Sequence, residues 1–150
     1  MLRRATESDL PLIMAWRSNP LIYQGFYTQN APLTWQEHIG WWNSRNDWRE
    51  FIILLVEDTD IRPVGVVTIG QLSHWSSEIG YFIGEITLWG KGYGKEAVTL
   101  ACEWLKKQGK EYAHTTILDD NKRSIRLIGS LGFQYLGKAR EGEAWYQKKL

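Results

Sequence analysis

The segment Leu88-Trp89-Gly90-Lys91-Gly92-Tyr93-Gly94-Lys95-Glu96-Ala97 constrains the fold more than any other part of this 150-residue chain. Its three glycines stand at alternate positions between an apolar run and an amphipathic helical pattern. A backbone with few Cβ atoms can approach a ligand closely and can adopt positive φ angles. The free N–H groups at the start of a helix also lie at the positive end of its dipole. The segment therefore predicts a binding site for an anion, most often a phosphate.

The composition narrows the class of protein. Eighteen basic and seventeen acidic residues give a net charge of +1, so no overall field favours nucleic acid or a membrane surface as a partner. The single cysteine, Cys102, excludes an intrachain disulfide. The chain does not open on a basic segment followed by an apolar run, and no apolar stretch approaches the ~18 residues of a membrane span. We expect one domain over residues 1–150, soluble and cytoplasmic, a monomer or homodimer, without a metal.

The order of predicted elements indicates a mixed α/β (α+β) sheet rather than a strict βαβ alternation. Two capping-box patterns, Thr6-x-x-Asp9 and Thr34-Trp35-Gln36-Glu37, open the first two helices. Asn19-Pro20 is expected to end the first helix, and a polar, aromatic loop follows to Leu33. The other helices are predicted after the glycine segment and over Lys122–Ser130. Strands are predicted over residues 2–4, 51–56, 66–69, 78–83, 112–118, 133–137 and 144–148.

Two common phosphate-binding motifs fit the glycine segment poorly. Gly92-x-Gly94-x-x-Ala97 matches the dinucleotide fingerprint as a string, but that fingerprint belongs at the first βα turn of a doubly wound sheet. Here it follows three strands that look antiparallel. A Walker A loop is excluded because no Lys-Ser or Lys-Thr follows the glycines at the required spacing. A Rossmann-like nucleotide-binding module therefore stays only as an alternative.

Three segments together resemble the GNAT superfamily of acyl-CoA-dependent N-acetyltransferases. Glu78-Ile79-Gly80-Tyr81-Phe82-Ile83 looks like its fourth strand, and Gly90 to Ala97 looks like its pyrophosphate loop and following helix. Asn121-Lys122-Arg123-Ser124-Ile125-Arg126-Leu127, through Leu131-Gly132-Phe133, looks like its later coenzyme-binding helix and turn. The residues of these three segments most resemble the branches that acetylate ribosomal-protein N-termini and nucleotide-linked amino sugars. The resemblance implies a mostly antiparallel central sheet of about six or seven strands, flanked by about four helices.

The resemblance also implies acetyl-CoA as co-substrate and indicates which residues contact it. The strand from Tyr81 to Leu88 is expected to lie along the pantetheine, with main-chain contacts at Ile86, Thr87 and Leu88. The expected pyrophosphate contacts are Gly90, Lys91, Gly92, Tyr93, Gly94 and Lys95. Asn121 is expected to contact the coenzyme with its amide, and Arg126 to meet a phosphate on the adenosine side. The alternative for Lys91, Lys95 and Arg126 is an ordinary solvated or ion-paired side chain.

Two positions depart from the family pattern. The loop usually begins with Gln or Arg where this chain has Trp89. The later helix often carries a tyrosine that protonates the departing thiolate, and the matching position is Ile128, which cannot donate a proton. Ser124, one turn earlier, is the predicted replacement, although it could merely help the helix to start. A non-catalytic acyl-CoA-binding domain is therefore the second alternative.

Acyl transfer to an amine requires the amine to be neutral. An α-amine has a pKa near 7.7–8.0 and is already roughly a tenth neutral at pH 7, whereas a lysine amine, near 10.4, is almost fully protonated. A weakly basic acceptor needs only a modest general base. Glu78 at the fourth strand is the leading candidate, and His74 is the second because imidazole titrates in the right range. The alternatives are a solvated strand end and an exposed loop histidine.

The acceptor pocket is predicted from aromatic residues near loops. Tyr23, Phe26 and Tyr27 precede the second helix, and Trp75 is expected opposite them. Because this set is aromatic and carries no cluster of acids for a polyamine or a basic peptide, it favours an amino sugar, free or nucleotide-linked, over a protein N-terminus. The stretch Trp16-Arg17-Ser18-Asn19-Pro20, followed by an aromatic loop, also looks like relatives that act on nucleotide-linked sugars.

Overall fold

The structure, a computed structural model, describes all residues from 1 to 150. Its centre is a seven-stranded sheet in the order β1-β2-β3-β4-β5-β7-β6. Every neighbouring pair is antiparallel except β4 and β5. The strands are β1 (Leu2–Arg4), β2 (Arg49–Glu57), β3 (Asp60–Gly70), β4 (Ser76–Ile83), β5 (Tyr112–Leu118), β6 (Gln134–Arg140) and β7 (Glu143–Lys149).

Five helices cover the two faces of this sheet. They are α1 (Leu10–Arg17), α2 (Pro20–Tyr23), α3 (Trp35–Asn43), α4 (Tyr93–Lys107) and α5 (Lys122–Ser130). The larger apolar cluster joins the sheet to α4 and α5, and a smaller one joins the opposite face to α1 and α2. No helix has the length and apolar character needed to cross a membrane.

The predicted fold class is confirmed: the sheet is mixed, mostly antiparallel and flanked by helices. The first helix ends at Arg17, just before Asn19-Pro20, as expected. Pro20 also begins the short helix α2, because the Asn19 side chain accepts a hydrogen bond from Leu21 N and caps it. Two strand boundaries were predicted wrongly. The third strand starts at Asp60 rather than Val66, since Pro63 pairs in register with Leu54. The fourth strand stops at Ile83 instead of continuing to Leu88.

Strand β4 separates the two faces of the molecule residue by residue. Successive side chains of a strand point to opposite faces of the sheet. Ile79, Tyr81 and Ile83 accordingly pack with the larger cluster on the α4 side, and Phe82 packs with the smaller cluster on the α1 side. Glu78 shares the face of Phe82 by the same alternation. The two faces of β4 therefore present different side chains to different helices.

The only parallel pair of the sheet is short. Strands β4 and β5 pair from Ser76 to Glu78 with Tyr112 to His114, and not beyond. From Ile79 onwards β4 keeps its partner β3 but has none on the β5 side. The two strands diverge there, and the opening between them leads to the cleft described next.

Candidate active site

A single large cleft lies where β4 separates from β5. Its volume is about 800 Å³. It is bounded by the α2 region, the end of β4, the glycine loop with the start of α4, and the start of α5. Most of the predicted coenzyme contacts line it: Leu88, Gly90, Gly92, Tyr93, Gly94, Lys95, Asn121 and Arg126, together with Ser124 and Phe26. Segments that are distant in sequence thus meet around one space.

The glycine loop has the backbone that an anion site requires. Gly90 and Gly92 have φ angles of 78° and 89°, which side chains with a Cβ rarely adopt. The N–H groups of residues 90 to 95 have no hydrogen-bond partner within the chain. A Cβ built on either glycine meets no protein atom within 4 Å, so the space in front of the loop is open. Unpaired N–H groups at the start of the 15-residue α4 form a concave donor site for an anion.

Positive side chains surround the same end of the cleft. Lys95, Arg123 and Arg126 line it, and none of them forms an ion pair within the chain. Lys91 is exposed and does not line the cleft. An unpaired donor loop flanked by three cations is chemically suited to bind a ligand that carries phosphate groups.

Ile86 and Thr87 do not lie where the sequence placed them. They form a 3-10 turn with Leu88, are exposed, and do not line the cleft. The strand breaks at Gly84 because Gly84 N and Glu85 N both donate to one carbonyl, that of Val64, at 2.7 and 3.2 Å. A regular ladder cannot continue past such a shared acceptor. Only Leu88 of the three, buried below the turn, reaches the cleft.

Trp89, the unexplained departure from the family pattern, has a structural role. Its indole Nε1 donates a 2.9 Å hydrogen bond to the carbonyl of Ile83, the last residue of β4. The half-buried ring packs against both apolar clusters and lines the cleft. The Arg123 guanidinium lies 4.9 Å from the ring centroid. Trp89 thus ties the glycine loop to the end of β4 and supports one of the cleft cations.

The hydroxyl groups of Ser124 and Tyr81 are hydrogen-bonded to each other in the cleft. The Tyr81 hydroxyl donates to Ser124 Oγ over 3.0 Å, and both residues line the cleft. Ser124 does not cap helix α5. The cap is Asn121, whose carboxamide oxygen accepts a hydrogen bond from Ser124 N at 3.3 Å. Ile128 is buried in the core and does not line the cleft. Burial raises the pKa of Tyr81, which keeps its hydroxyl protonated over the neutral range.

Glu78 is the half-buried carboxyl of β4. Its side chain accepts a hydrogen bond from Gln71 Nε2 at 3.2 Å and forms no ion pair. Burial is the main cause that raises the pKa of Glu78, and the charge of Glu143 adds to it, while Arg45 and Arg140 oppose the shift. Glu78 does not itself line the cleft but faces the other side of β4. A carboxyl of raised pKa without a cationic partner is chemically suited to accept a proton.

Two other glutamates of the sheet are buried more deeply than Glu78. Glu50 and Glu143 are each about 5% exposed. Arg45 Nε lies 2.8 Å from Glu50 Oε1, and Arg140 Nε lies 2.9 Å from Glu143 Oε1. The three glutamates stand on the different strands β2, β4 and β7, and of the other two only the charge of Glu143 acts on Glu78. Two are neutralised by arginines, and Glu78 is not.

The structure does not bring His74 or Trp75 to the cleft. The His74 side chain is 65% exposed with Asp47 at 3.9 Å, and its carbonyl accepts from Lys110 Nζ. Trp75 is 70% exposed and meets the ring of Tyr112 edge-on. Both lie before the first residue of β4, at the end opposite the cleft. Neither is positioned for the roles that the sequence suggested.

The three aromatic residues before α3 have different positions. Phe26 lines the cleft and packs edge-on against Phe82, with ring centroids 5.7 Å apart. The Tyr27 ring is partly exposed and carries the Arg140 guanidinium 3.7 Å from its centroid. Tyr23 is half-buried in α2 and does not line the cleft.

Two residues whose side chains line the cleft were not predicted to have a role in the site. Tyr81 was assigned only to a strand along the coenzyme, and Arg123 had no role at all. A signal for Tyr81 was present, since it alternates with Ile79 and Ile83 and therefore faces α4 with them. For Arg123 the signal was its place two residues after Asn121, in the first turn of a helix.

Comparison with known proteins places the chain in a family. A family model described as an acetyltransferase (GNAT) domain matches residues 1–134. An uncharacterized protein of Methanocaldococcus jannaschii is 50% identical over all 150 residues, and the chain spans 31% of that relative's length. The crystal structure of a domain from the same organism superimposes with a TM-score of 0.97 at 50% identity, covering 100% of this chain and 97% of that one.

A more distant structure shares the fold and was determined with a coenzyme. The spermidine N-acetyltransferase from Vibrio cholerae, in complex with CoA and spermine, has a TM-score of 0.82 at 19% identity, covering 100% of this chain and 94% of that one. The family model alone covers well over half of the present chain. The chain therefore belongs to the GNAT family of acetyltransferases.

Proposed function

We propose that the chain is an acyltransferase that uses acetyl-CoA as its acyl donor, which its membership in the GNAT family supports. We propose that its acceptor is a weakly basic primary amine, either an amino sugar, free or nucleotide-linked, or a protein N-terminus. We also propose that residues 1–150 form one domain, since all seven strands belong to a single sheet. The observation that carries the proposal is the Tyr81–Ser124 hydroxyl pair in the same cleft as the unpaired N–H groups of the glycine loop.

The residues proposed to hold the coenzyme divide into two groups. The N–H groups of residues 90 to 95 bind the diphosphate, and Lys95, Arg123 and Arg126 add positive charge. Asn121 uses its oxygen for the helix cap, so its Nδ2 stays available as a donor at the cleft wall. Bound acetyl-CoA supplies an activated acetyl carbonyl and a thiol leaving group. The protein supplies orientation and proton transfers.

Two groups on opposite faces of β4 are proposed to move the protons. Glu78 takes a proton from the amine as the new C–N bond forms. Ser124 donates its hydroxyl proton to the sulfur as the C–S bond breaks. The direction of the hydrogen bond favours this, because Tyr81 donates to Ser124 Oγ and leaves the serine proton free to point elsewhere. The Tyr81 proton can then replace the one that Ser124 has given up. Tyr81 regains a proton from solvent and Glu78 releases to solvent the one taken from the amine, so the cycle closes without net loss of protons.

This relay predicts the effects of removing either hydroxyl. Ser124→Ala and Tyr81→Phe should each lower kcat by about 10²-fold, the usual contribution of a positioned general acid. The Kd for coenzyme A should change little, because neither hydroxyl is part of the diphosphate loop. Steady-state kinetics and calorimetric titration with coenzyme A measure the two quantities.

The double variant tests whether the two hydroxyls act as a unit. If they form one relay, Ser124→Ala combined with Tyr81→Phe should cost no more than the larger single loss, because groups that act together are not additive. Ser130→Ala is the matched control, since this serine donates to the carbonyl of Leu127 on the exposed side of the same helix. Full turnover by Ser124→Ala would remove it as the leaving-group acid.

An acceptor screen tests the function itself. Acetyl-CoA is incubated with amino sugars, nucleotide-linked amino sugars, N-terminal peptides, polyamines and aminoglycosides, and release of free thiol is followed. Transfer to at least one weakly basic amine is expected. Binding of acetyl-CoA without transfer to any amine would favour a non-catalytic acyl-CoA-binding domain. Thermal stabilisation by NAD(P) but not by acetyl-CoA would favour a Rossmann-like module.

A further inference from the structure

A titratable side chain that the proposed mechanism leaves unused stands beside Glu78. The parallel ladder between β4 and β5 is short, and its last pair joins Glu78 to His114. Paired residues of neighbouring strands point to the same face, with their backbones about 4.8 Å apart. Beyond this pair the two strands diverge toward the cleft. Glu78 and His114 therefore stand side by side at the point where the opening between the strands begins.

A buried hydrogen bond fixes the His114 ring on this face. Its Nδ1 lies 2.7 Å from the hydroxyl oxygen of Ser76, and both residues are buried. Ser76 stands two residues before Glu78, so their side chains share one face of β4. The Trp145 ring packs edge-on against the imidazole, with ring centroids 5.3 Å apart. The imidazole is thus held between Ser76 and Trp145, on the face that carries Glu78.

The other ring nitrogen of His114 is available for a proton. Nε2 forms no hydrogen bond within the chain and is not completely enclosed. The Ser76 hydroxyl can donate to Nδ1 or accept from it, so it satisfies Nδ1 whether or not that nitrogen carries a proton. Glu78 also keeps one side-chain oxygen available, because Gln71 donates only to Oε2. Each of the two groups therefore has a position at which it can exchange a proton.

The surroundings shift the two groups in opposite directions. Burial is the main cause that raises the pKa of Glu78 and also the main cause that lowers the pKa of His114. Each pKa moves toward the ordinary range of the other group, so passing a proton between them costs little free energy. The partner of His114 on β7, Gln147, carries no charge. The charged or titratable groups of packed elements that act on the pair are Arg45, Arg140 and Glu143 for Glu78, and His74 for His114.

An amine that arrives as an ammonium ion must lose two protons. An α-amine is about nine tenths ammonium at pH 7. Its nitrogen loses one proton before it can attack the acetyl carbonyl, and a second as the C–N bond forms. The carboxylate of Glu78 can hold only one of the two. A second proton acceptor beside Glu78 therefore has a defined use.

We infer that Glu78 passes the first proton of an ammonium acceptor to His114 Nε2, so that the carboxylate is ready for the second. The inference rests on the proposed function and extends it to amines bound in their charged form. After transfer, Glu78 and His114 each release a proton to solvent, while the Ser124–Tyr81 pair regains one. One proton is therefore released for each ammonium ion acetylated. Because His114 acts through Glu78, it is a positioning residue for the proton and does not touch the acceptor.

The pH dependence of turnover tests this role with the amine that the acceptor screen identifies. His114→Asn keeps a polar partner for Ser76 but removes the proton acceptor, so only the neutral amine can react. Above the pKa of the amine, kcat/KM of the variant should be close to that of the wild type. Below it, the variant should fall behind by about tenfold for each pH unit, as the neutral fraction of the amine declines.

Two further variants make this result decisive. Ser76→Ala removes only the partner of Nδ1 and should give a smaller loss with the same pH dependence, which decides the matter if His114→Asn does not fold. His74→Asn, at an exposed histidine, is the matched control and should keep the wild-type profile. An unchanged profile, or a deficit that is equal at every pH as a purely structural role would cause, would overturn the inference.

A titration by NMR tests the pair without turnover. The ring signals of His114, identified by their contacts with the Trp145 ring, should follow two steps, because coupled groups respond to each other's ionisation. Glu78→Gln should leave one step, and Glu57→Gln, at an exposed residue, should leave both. A single step in the wild type would overturn the inference. Failure of the acceptor screen would instead count against the proposed function, and the titration would still decide whether Glu78 and His114 act as a pair.

Discussion

Gly92→Val is expected to abolish measurable binding of coenzyme A and acetyl-CoA while the protein stays folded. Gly92 has a φ angle of 89° and precedes α4, where the N–H groups of the loop converge. A built Cβ meets no protein atom within 4 Å, so the valine side chain would occupy the open space in front of those donors. The left-handed backbone costs a residue with a side chain about 1–2 kcal/mol. Relaxation of this strain would also turn the N–H groups away. Calorimetric titration with coenzyme A measures the effect.

A matched glycine separates the ligand effect from backbone strain. Gly109 follows α4, has a φ angle of 79°, and has no atom within 4 Å of a built Cβ. Gly109→Val should therefore lose a similar amount of stability and still bind coenzyme A as the wild type does. Normal coenzyme binding by Gly92→Val would mean that the diphosphate binds elsewhere.

Glu78→Gln is expected to lower kcat/KM by about 10²-fold or more, because the amide cannot take the proton of the amine. In the wild-type enzyme, kcat/KM should fall as the pH drops through the raised pKa of Glu78, above the range of an ordinary glutamate. The variant should lack that step. A pH–rate profile of both proteins, with the exposed Glu57→Gln as control, measures this.

The same variant should be more stable than the wild type at neutral pH. Burial raises the pKa of Glu78 in the folded state, so the charged form is penalised above that pKa and the neutral form is not. Replacement by glutamine removes the penalty, and the gain should vanish as the pH falls and wild-type Glu78 becomes protonated. Denaturant unfolding at pH 8 and near pH 4 measures the difference. An unchanged rate together with unchanged stability would show that Glu78 is neither buried as a charge nor the base.

The parts of the site encoded by local sequence could be predicted. A positive φ angle needs glycine and a helix start needs a cap, so Gly90, Gly92 and Asn121 could be recognised from their neighbours alone. The order of the elements along the chain and the helix boundaries near these residues followed from the same local signals. Ser124 was predicted from the family resemblance, as the replacement for the tyrosine whose position Ile128 occupies.

The parts that depend on contacts between distant segments could not be predicted. The turn that carries His74 is held away from the cleft by Lys110 and by Asp47, whose carboxylate accepts from Ser73 N at 3.0 Å. The effect of the Glu143 charge on Glu78 depends on the pairing of the three strands β4, β5 and β7, which no local pattern specifies. The Tyr81–Ser124 bond joins residues 43 positions apart.

The alternation of side chains along β4 has an evolutionary consequence. The Tyr81 side chain lies on the face of the sheet that packs against α4 and the glycine loop. Glu78 and Phe82 lie on the opposite face, which is covered by α1 and the loop that precedes α3. Residues 16 to 34 can therefore change their size and charge, and with them the preferred amine, without disturbing the donor loop. Insertion of one residue into β4 would exchange the two sets of side chains. Divergence of new specificities from this scaffold should thus concentrate in the first third of the chain and spare the length of β4.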